Sequence, residues 1–190
     1  MTELRKIQGL LDDTTSAVPR IDKSTHAFET IDYSHHEIHG GSHYYTQGYI
    51  ELQDTETFYV KLDTTNSTKW AHFLFDIKST GILTTTFKED CIGGMTGGSS
   101  MSPLNNNRNS VNASTVVLTA GVTDCTSSGT TLENDKWGAE GFKENIGGGG
   151  GREDEIMLKQ NSTYLRMFSS SADNNIIQFK ASWYEHTDKS

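Results

Sequence analysis

The chain has 190 residues, 33% hydrophobic and 22% charged, with 25 acidic against 16 basic side chains and a net charge of -9. No apolar run approaches the roughly 18 residues that a membrane-spanning helix needs, and the acidic balance argues against direct nucleic-acid binding, which draws on a basic face. Ser and Thr together number 43, while 18 aromatic residues cluster in periodic stretches; this is the composition of one β-rich domain with much polar loop, not of a helical bundle or a disordered chain.

Residues 1–40 read as an N-terminal arm. Leu4, Ile7, Leu10 and Leu11 fall at helical spacing behind Thr2, a candidate cap. Pro19 ends that short helical stretch. From Arg20 to Gly40 the pattern is polar and extended, and it carries His26, His35, His36 and His39. Leu4, Ile7, Leu10, Leu11, His35, His36 and His39 are the residues expected to contact a partner.

From Ser42 the period changes to two. Tyr44, Thr46, Gly48 and Ile50 alternate with Tyr45, Gln47, Tyr49 and Glu51; Phe58, Val60 and Leu62 alternate with Tyr59, Lys61 and Asp63. Ala71, Phe73, Phe75 and Ile77 oppose Trp70, His72, Leu74, Asp76 and Lys78, and residues 82–87 are β-branched and aromatic. Such runs predict half-buried strands. Residues 91–113 and 121–138 read as long loops around a strand over 114–120. A weak strand follows over 139–146, then a five-glycine run at 147–151, read as a flexible link or a place of close backbone approach. Strands over 155–160, 163–169 and 176–184 complete the domain. Eight or nine strands with long central connections predict an all-β, two-sheet antiparallel β-sandwich of jelly-roll type over residues 41–190.

Motifs for chemistry are sparse. His35-His36-x-x-His39 surrounds Glu37, with His43 close by, but the spacing matches no H-E-x-x-H signature, and no metal or other cofactor is expected. Neither glycine cluster has a P-loop ending, and no G-x-S-x-G elbow exists. Glu153-Asp154-Glu155 reads as a solvated turn, and Trp70, Trp183 and Tyr184 as buried strand residues. A non-enzymatic role is expected. The N-terminus lacks the apolar segment of a signal peptide, so synthesis in a reducing cytosol with Cys91 and Cys125 as thiols is expected.

The phrases Ile31-Asp32-Tyr33-Ser34-His35-His36-Glu37-Ile38-His39-Gly40-Gly41-Ser42, Asn66-Ser67-Thr68-Lys69-Trp70-Ala71-His72-Phe73 and Trp183-Tyr184-Glu185-His186-Thr187 resemble those of a family of small virion structural proteins of tailed bacteriophages. The likeness spans about residues 24–187. It implies a capsid decoration or cement protein on the outside of the head, with the major capsid protein and further copies of itself, as dimer or trimer, for partners. In that role the arm clasps neighbouring subunits and the sandwich bridges capsomers. The alternative it leaves is a receptor- or glycan-binding module of the tail or fibre.

Overall fold

The computed structural model describes residues 9–10, 16–17, 33–65, 68–123, 125, 128–138, 146–149 and 154–187, with backbone alone at 9–10, 16–17, 33–34 and 146–149. The chain divides into two units, Met1–His36 and Glu37–Ser190. In the first, β1 (Gly9–Leu10) pairs antiparallel with β2 (Ser16–Ala17). Leu10 is thus in a strand, where the apolar spacing predicted a helix. Gly9 sits inside that spacing and weakens a helix already too short to stand alone. A second correction concerns the stretch predicted as extended: Tyr33–Gly40 forms a helix, α1, and the division between the units falls within it. Leu4, Ile7 and Leu11 lie outside the described residues.

The second unit is built from β3 (His43–Leu52), β4 (Thr57–Thr64), β5 (Lys69–Ser79), β6 (Leu83–Glu89), β7 (Ser99–Met101), β8 (Leu104–Asn105), β9 (Val116–Ala120), β10 (Thr130–Trp137), β11 (Ile146–Gly149), β12 (Ile156–Leu158), β13 (Thr163–Ser170) and β14 (Asn175–Thr187). They form two antiparallel sheets. One has the order β10-β6-β13-β4-β9-β7, and the other β11-β5-β14-β3-β8, with β12 also paired to β5.

The expected all-β sandwich is therefore present, and burial alternates along β3, β4, β5 and β6 as a period-two pattern implies. Val60, Leu62, Phe87, Leu118, Tyr164 and Phe168 of the first sheet pack against Tyr44, Phe73, Ile77, Ile177, Phe179 and Trp183 of the second. Phe168 meets Phe179 across the gap with ring centroids 5.3 Å apart. A smaller cluster of Cys91, Val122 and Leu165 lies apart from this core, with Tyr59, Met95, Cys125 and Met167 against it. Cys91 and Cys125 are free thiols.

Both predicted long loops contain strands. Residues 91–113 hold β7 and β8, and 121–138 hold β10. β10 reads Thr-Thr-Leu-Glu-Asn-Asp-Lys-Trp, and its central Glu-Asn-Asp-Lys is made of residues depleted from strands. It forms because β6 offers a free edge, and its charged side chains suit an edge position. The glycine run also enters a sheet: Gly147, Gly148 and Gly149 pair with Lys78, Ile77 and Asp76 of β5.

Candidate functional site

The ladder β10-β6-β13 places charge inside the sandwich. On β13, Tyr164, Arg166, Phe168 and Ser170 are buried at alternate positions, so Arg166 occupies a core position. It stands opposite Phe87 of β6. On the other flank of β6, the register of β10 shifts between Thr131 and Glu133. That bulge sets Glu133, Asp135 and Trp137 opposite Phe87, Thr85 and Leu83, and hence on the inward face. Arg166 Nη1 donates to Glu133 Oε2 at 2.5 Å, and its guanidinium lies over the Phe75 ring, 4.8 Å from the centroid, and the Phe87 ring at 5.5 Å. Arg166 is only 3% exposed, and its Nε has no hydrogen-bond partner among the described residues. Burial pulls the guanidinium's pKa down, opposed by Glu133 and Asp135; an arginine remains protonated regardless.

This group borders a pocket of about 330 Å³ between the sheets, lined also by Phe73, Ile77, Asp154 and Ile156. Trp137 is held at its edge by Nε1 donating to Thr85 Oγ1 at 3.3 Å. One arginine against Glu133, Asp135 and Asp154 disfavours an anion. Aromatic walls and carboxylate acceptors suit a neutral polyhydroxylated or a cationic ligand. Sequence reading missed this site because Glu133 and Asp135 lie in a segment that looked like loop and Asp154 in a stretch that read as a solvated turn.

The predicted partner-binding histidines lie elsewhere. His35, His36 and His39 are exposed on α1. The segment after His39 is tied to the 105–113 segment by asparagine side chains. Asn107 Nδ2 donates to the His39 carbonyl at 3.1 Å, and Gly41's carbonyl accepts from Asn105 Nδ2 at 2.8 Å and Asn112 Nδ2 at 3.1 Å. Glu37 is buried and accepts a short hydrogen bond from Ser42 Oγ. His43, at the start of β3, has a buried Nδ1 with no hydrogen bond among the described residues. Burial, then Lys180, lowers its pKa, against opposing pulls from Glu155 and Glu37.

Two other buried or half-buried groups went unnoticed in the sequence. Glu185 is 2% exposed and accepts from Ser114 Oγ at 2.6 Å, Thr115 N at 3.0 Å, Thr115 Oγ1 at 2.8 Å and Trp183 Nε1 at 3.1 Å. A carboxylate so well supplied with donors is a structural anchor for the start of β9. The second group joins His72 of β5 to His186 of β14, with Nε2 atoms 2.8 Å apart. His72 Nδ1 meets Glu155 Oε1 at 2.6 Å, and His186 Nδ1 meets the Thr187 carbonyl at 2.8 Å.

Among the described residues, no three His, Cys, Asp or Glu side chains are grouped to hold a metal ion, and no helix is long and apolar enough to cross a membrane. No family model, no curated protein and no solved structure matches the chain.

Proposed function

We propose that the protein is a structural component of a tailed-phage virion, a capsid decoration protein that binds the outside of the head and bridges capsomers. The strand order is the observation that carries this reading. β3, β4, β5 and β6 go alternately to the two sheets, and β10, β11 with β12, β13 and β14 return alternately between them. The returning strands slot between the outgoing ones, β14 between β3 and β5 and β13 between β4 and β6. This interleaving supports the jelly-roll winding, a double Greek key used in viral capsid and lectin domains. Fold alone does not assign function, so the phrase resemblance supplies the virion context.

Two further features suit the role. The net charge of -9 keeps an unassembled subunit soluble. Tyr49 and Ile176, 79% and 47% exposed on neighbouring strands β3 and β14, offer apolar contact to a partner such as the major capsid protein or a second copy. Electron microscopy of the particle that encodes the chain is the test. Density for the sandwich on the head surface supports the reading, and absence from the particle overturns it.

The inter-sheet pocket favours a second reading, a receptor- or glycan-binding module of the tail or fibre. Its aromatic walls and carboxylates are suited to a sugar ring. Density confined to the tail, with binding to a glycan array that Trp137→Ala abolishes, would replace the first reading with this one.

A further inference from the structure

We infer that the inter-sheet pocket binds a single neutral hexopyranose, with Arg166 Nε donating to one of its hydroxyls, Glu133 and Asp135 accepting from others, and the sugar ring lying against Trp137. The inference rests on the glycan-binding reading of this pocket and adds the ligand's class, its size and the part each side chain takes.

Arg166 sets the chemistry. A guanidinium only donates hydrogen bonds. Its Nη1 is taken by Glu133 Oε2, and its plane is restrained over the Phe75 and Phe87 rings. Nε is left as a buried donor with no hydrogen bond among the described residues, on a side chain that is 3% exposed and lines the pocket. A buried donor without an acceptor is costly, and an acceptor brought by a ligand removes that cost. The β10 bulge sets Glu133 beside it, and such irregularities re-aim side chains at functional sites.

The other charges of the pocket decide what carries that acceptor. Asp135 and Asp154 are exposed while Arg166 and Phe87 are buried, so the acids stand at the mouth and the arginine at the inner end. A carboxylate or phosphate satisfies Nε but has to pass Asp135 and Asp154 and lie beside Glu133. A cation suits the acids but leaves Nε unpaired and meets a like charge at Arg166. A hydroxyl serves both, because its oxygen accepts from Nε and its proton goes to a carboxylate. Hydrogen bonds with one charged partner are also stronger than neutral ones.

Several hydroxyls on an apolar ring describe a sugar, and the half-buried rings of Phe75 and Trp137 suit its C–H faces. The bond from Trp137 Nε1 to Thr85 Oγ1 holds that platform in place. A volume of about 330 Å³ is at the low end of the ~300–1,000 Å³ usual for small-molecule pockets, which fits one ring and not an oligosaccharide.

The test is titration of the full chain with the methyl glycosides of glucose, galactose and mannose, followed in ¹H–¹⁵N spectra. At least one of the three should shift the Arg166 Nε–H and Trp137 Nε1–H signals together and saturably. Asp135→Ala, at an exposed edge-strand position, should weaken that binding about tenfold. Acetate and methylammonium, as anionic and cationic probes, should leave both signals unmoved. No shift with any of the three sugars, sugar binding undiminished by Asp135→Ala, or a response to either charged probe exceeding that to the sugars overturns the inference. The pocket and the tail placement fail separately. A chain that takes up sugar yet lies on the head keeps the pocket and loses the tail placement, whereas a chain confined to the tail that takes up none keeps the placement and loses the pocket.

Discussion

Arg166 and Glu133 face the sandwich interior from strands on opposite flanks of β6, each opposite Phe87, and their side chains close to 2.5 Å. A buried arginine stripped of its carboxylate partner is an uncompensated charge in an aromatic core. Glu133→Ala is expected to lower unfolding stability by about 3 kcal/mol, the lower end for a broken buried pair, because the glutamate side chain is 32% exposed. Replacing both residues, Arg166→Met with Glu133→Leu, should recover most of the loss. Urea unfolding of the single and double variants measures this, and a Glu133→Ala loss below about 0.5 kcal/mol, the range of an ordinary surface substitution, would show the pair to be energetically idle.

Asn105 is the hub that ties the 105–113 segment to the segment after α1. It is 8% exposed, donates to the Gly41 and Asn112 carbonyls and accepts from Asn107 N–H. Asn105→Ala should cost about 1–3 kcal/mol through the buried polar groups it leaves unsatisfied. Hydrogen exchange should locate the loosening at residues 39–42 and 105–112, with β4 and β13 unaffected. Uniform loss of protection across both sheets would contradict a local role.

Gly129 leads into β10 with φ of 131°, and a Cβ there would stand 2.5 Å from the Glu89 carbonyl oxygen. That contact is with backbone, which does not swing away as a side chain end does. Gly129→Ala should therefore destabilise the protein by about 2 kcal/mol or more and should selectively deprotect β10. A melting temperature equal to that of the parent chain would refute it.

His43 makes stability depend on pH. Its folded pKa is depressed below 6.5, first by burial, so the unfolded chain binds the proton more readily. Its contribution is complete above the unfolded pKa and declines as pH falls from about 6.5 towards the folded value. Stability of the parent chain should fall between pH 7.5 and 5.5 more than that of His43→Gln. The difference between the two urea-derived curves reports this residue alone, and parallel curves would eliminate it as a determinant.

What the sequence by itself determined was the existence of the apolar strands and the two alternating faces of β3, β4 and β5. The alternation of Tyr44 with Tyr45, of Phe73 with Leu74, and of Val60 and Leu62 with Tyr59 and Lys61 is carried by period-two burial, and it made the sandwich legible without any long-range information. Elements whose order comes from a neighbour were not legible. β10 has a polar sequence and exists because β6 leaves an edge to pair, and the glycines of β11 have no side chains to betray a strand. Local spacing also misled at the N-terminus, where Gly9 and Leu10 pair with Ala17 and Ser16, and at Tyr33–Gly40, which is helical despite its polar pattern. The chemistry was hidden for the same reason. His35, His36 and His39 drew notice by lying close in sequence, whereas His72 and His186, which meet ring to ring, are 114 positions apart. Arg166, Glu133 and Asp135 likewise share a pocket only because a bulge in β10 turns two acidic side chains inward. Strand register across the sheets, which no local pattern encodes, decided both.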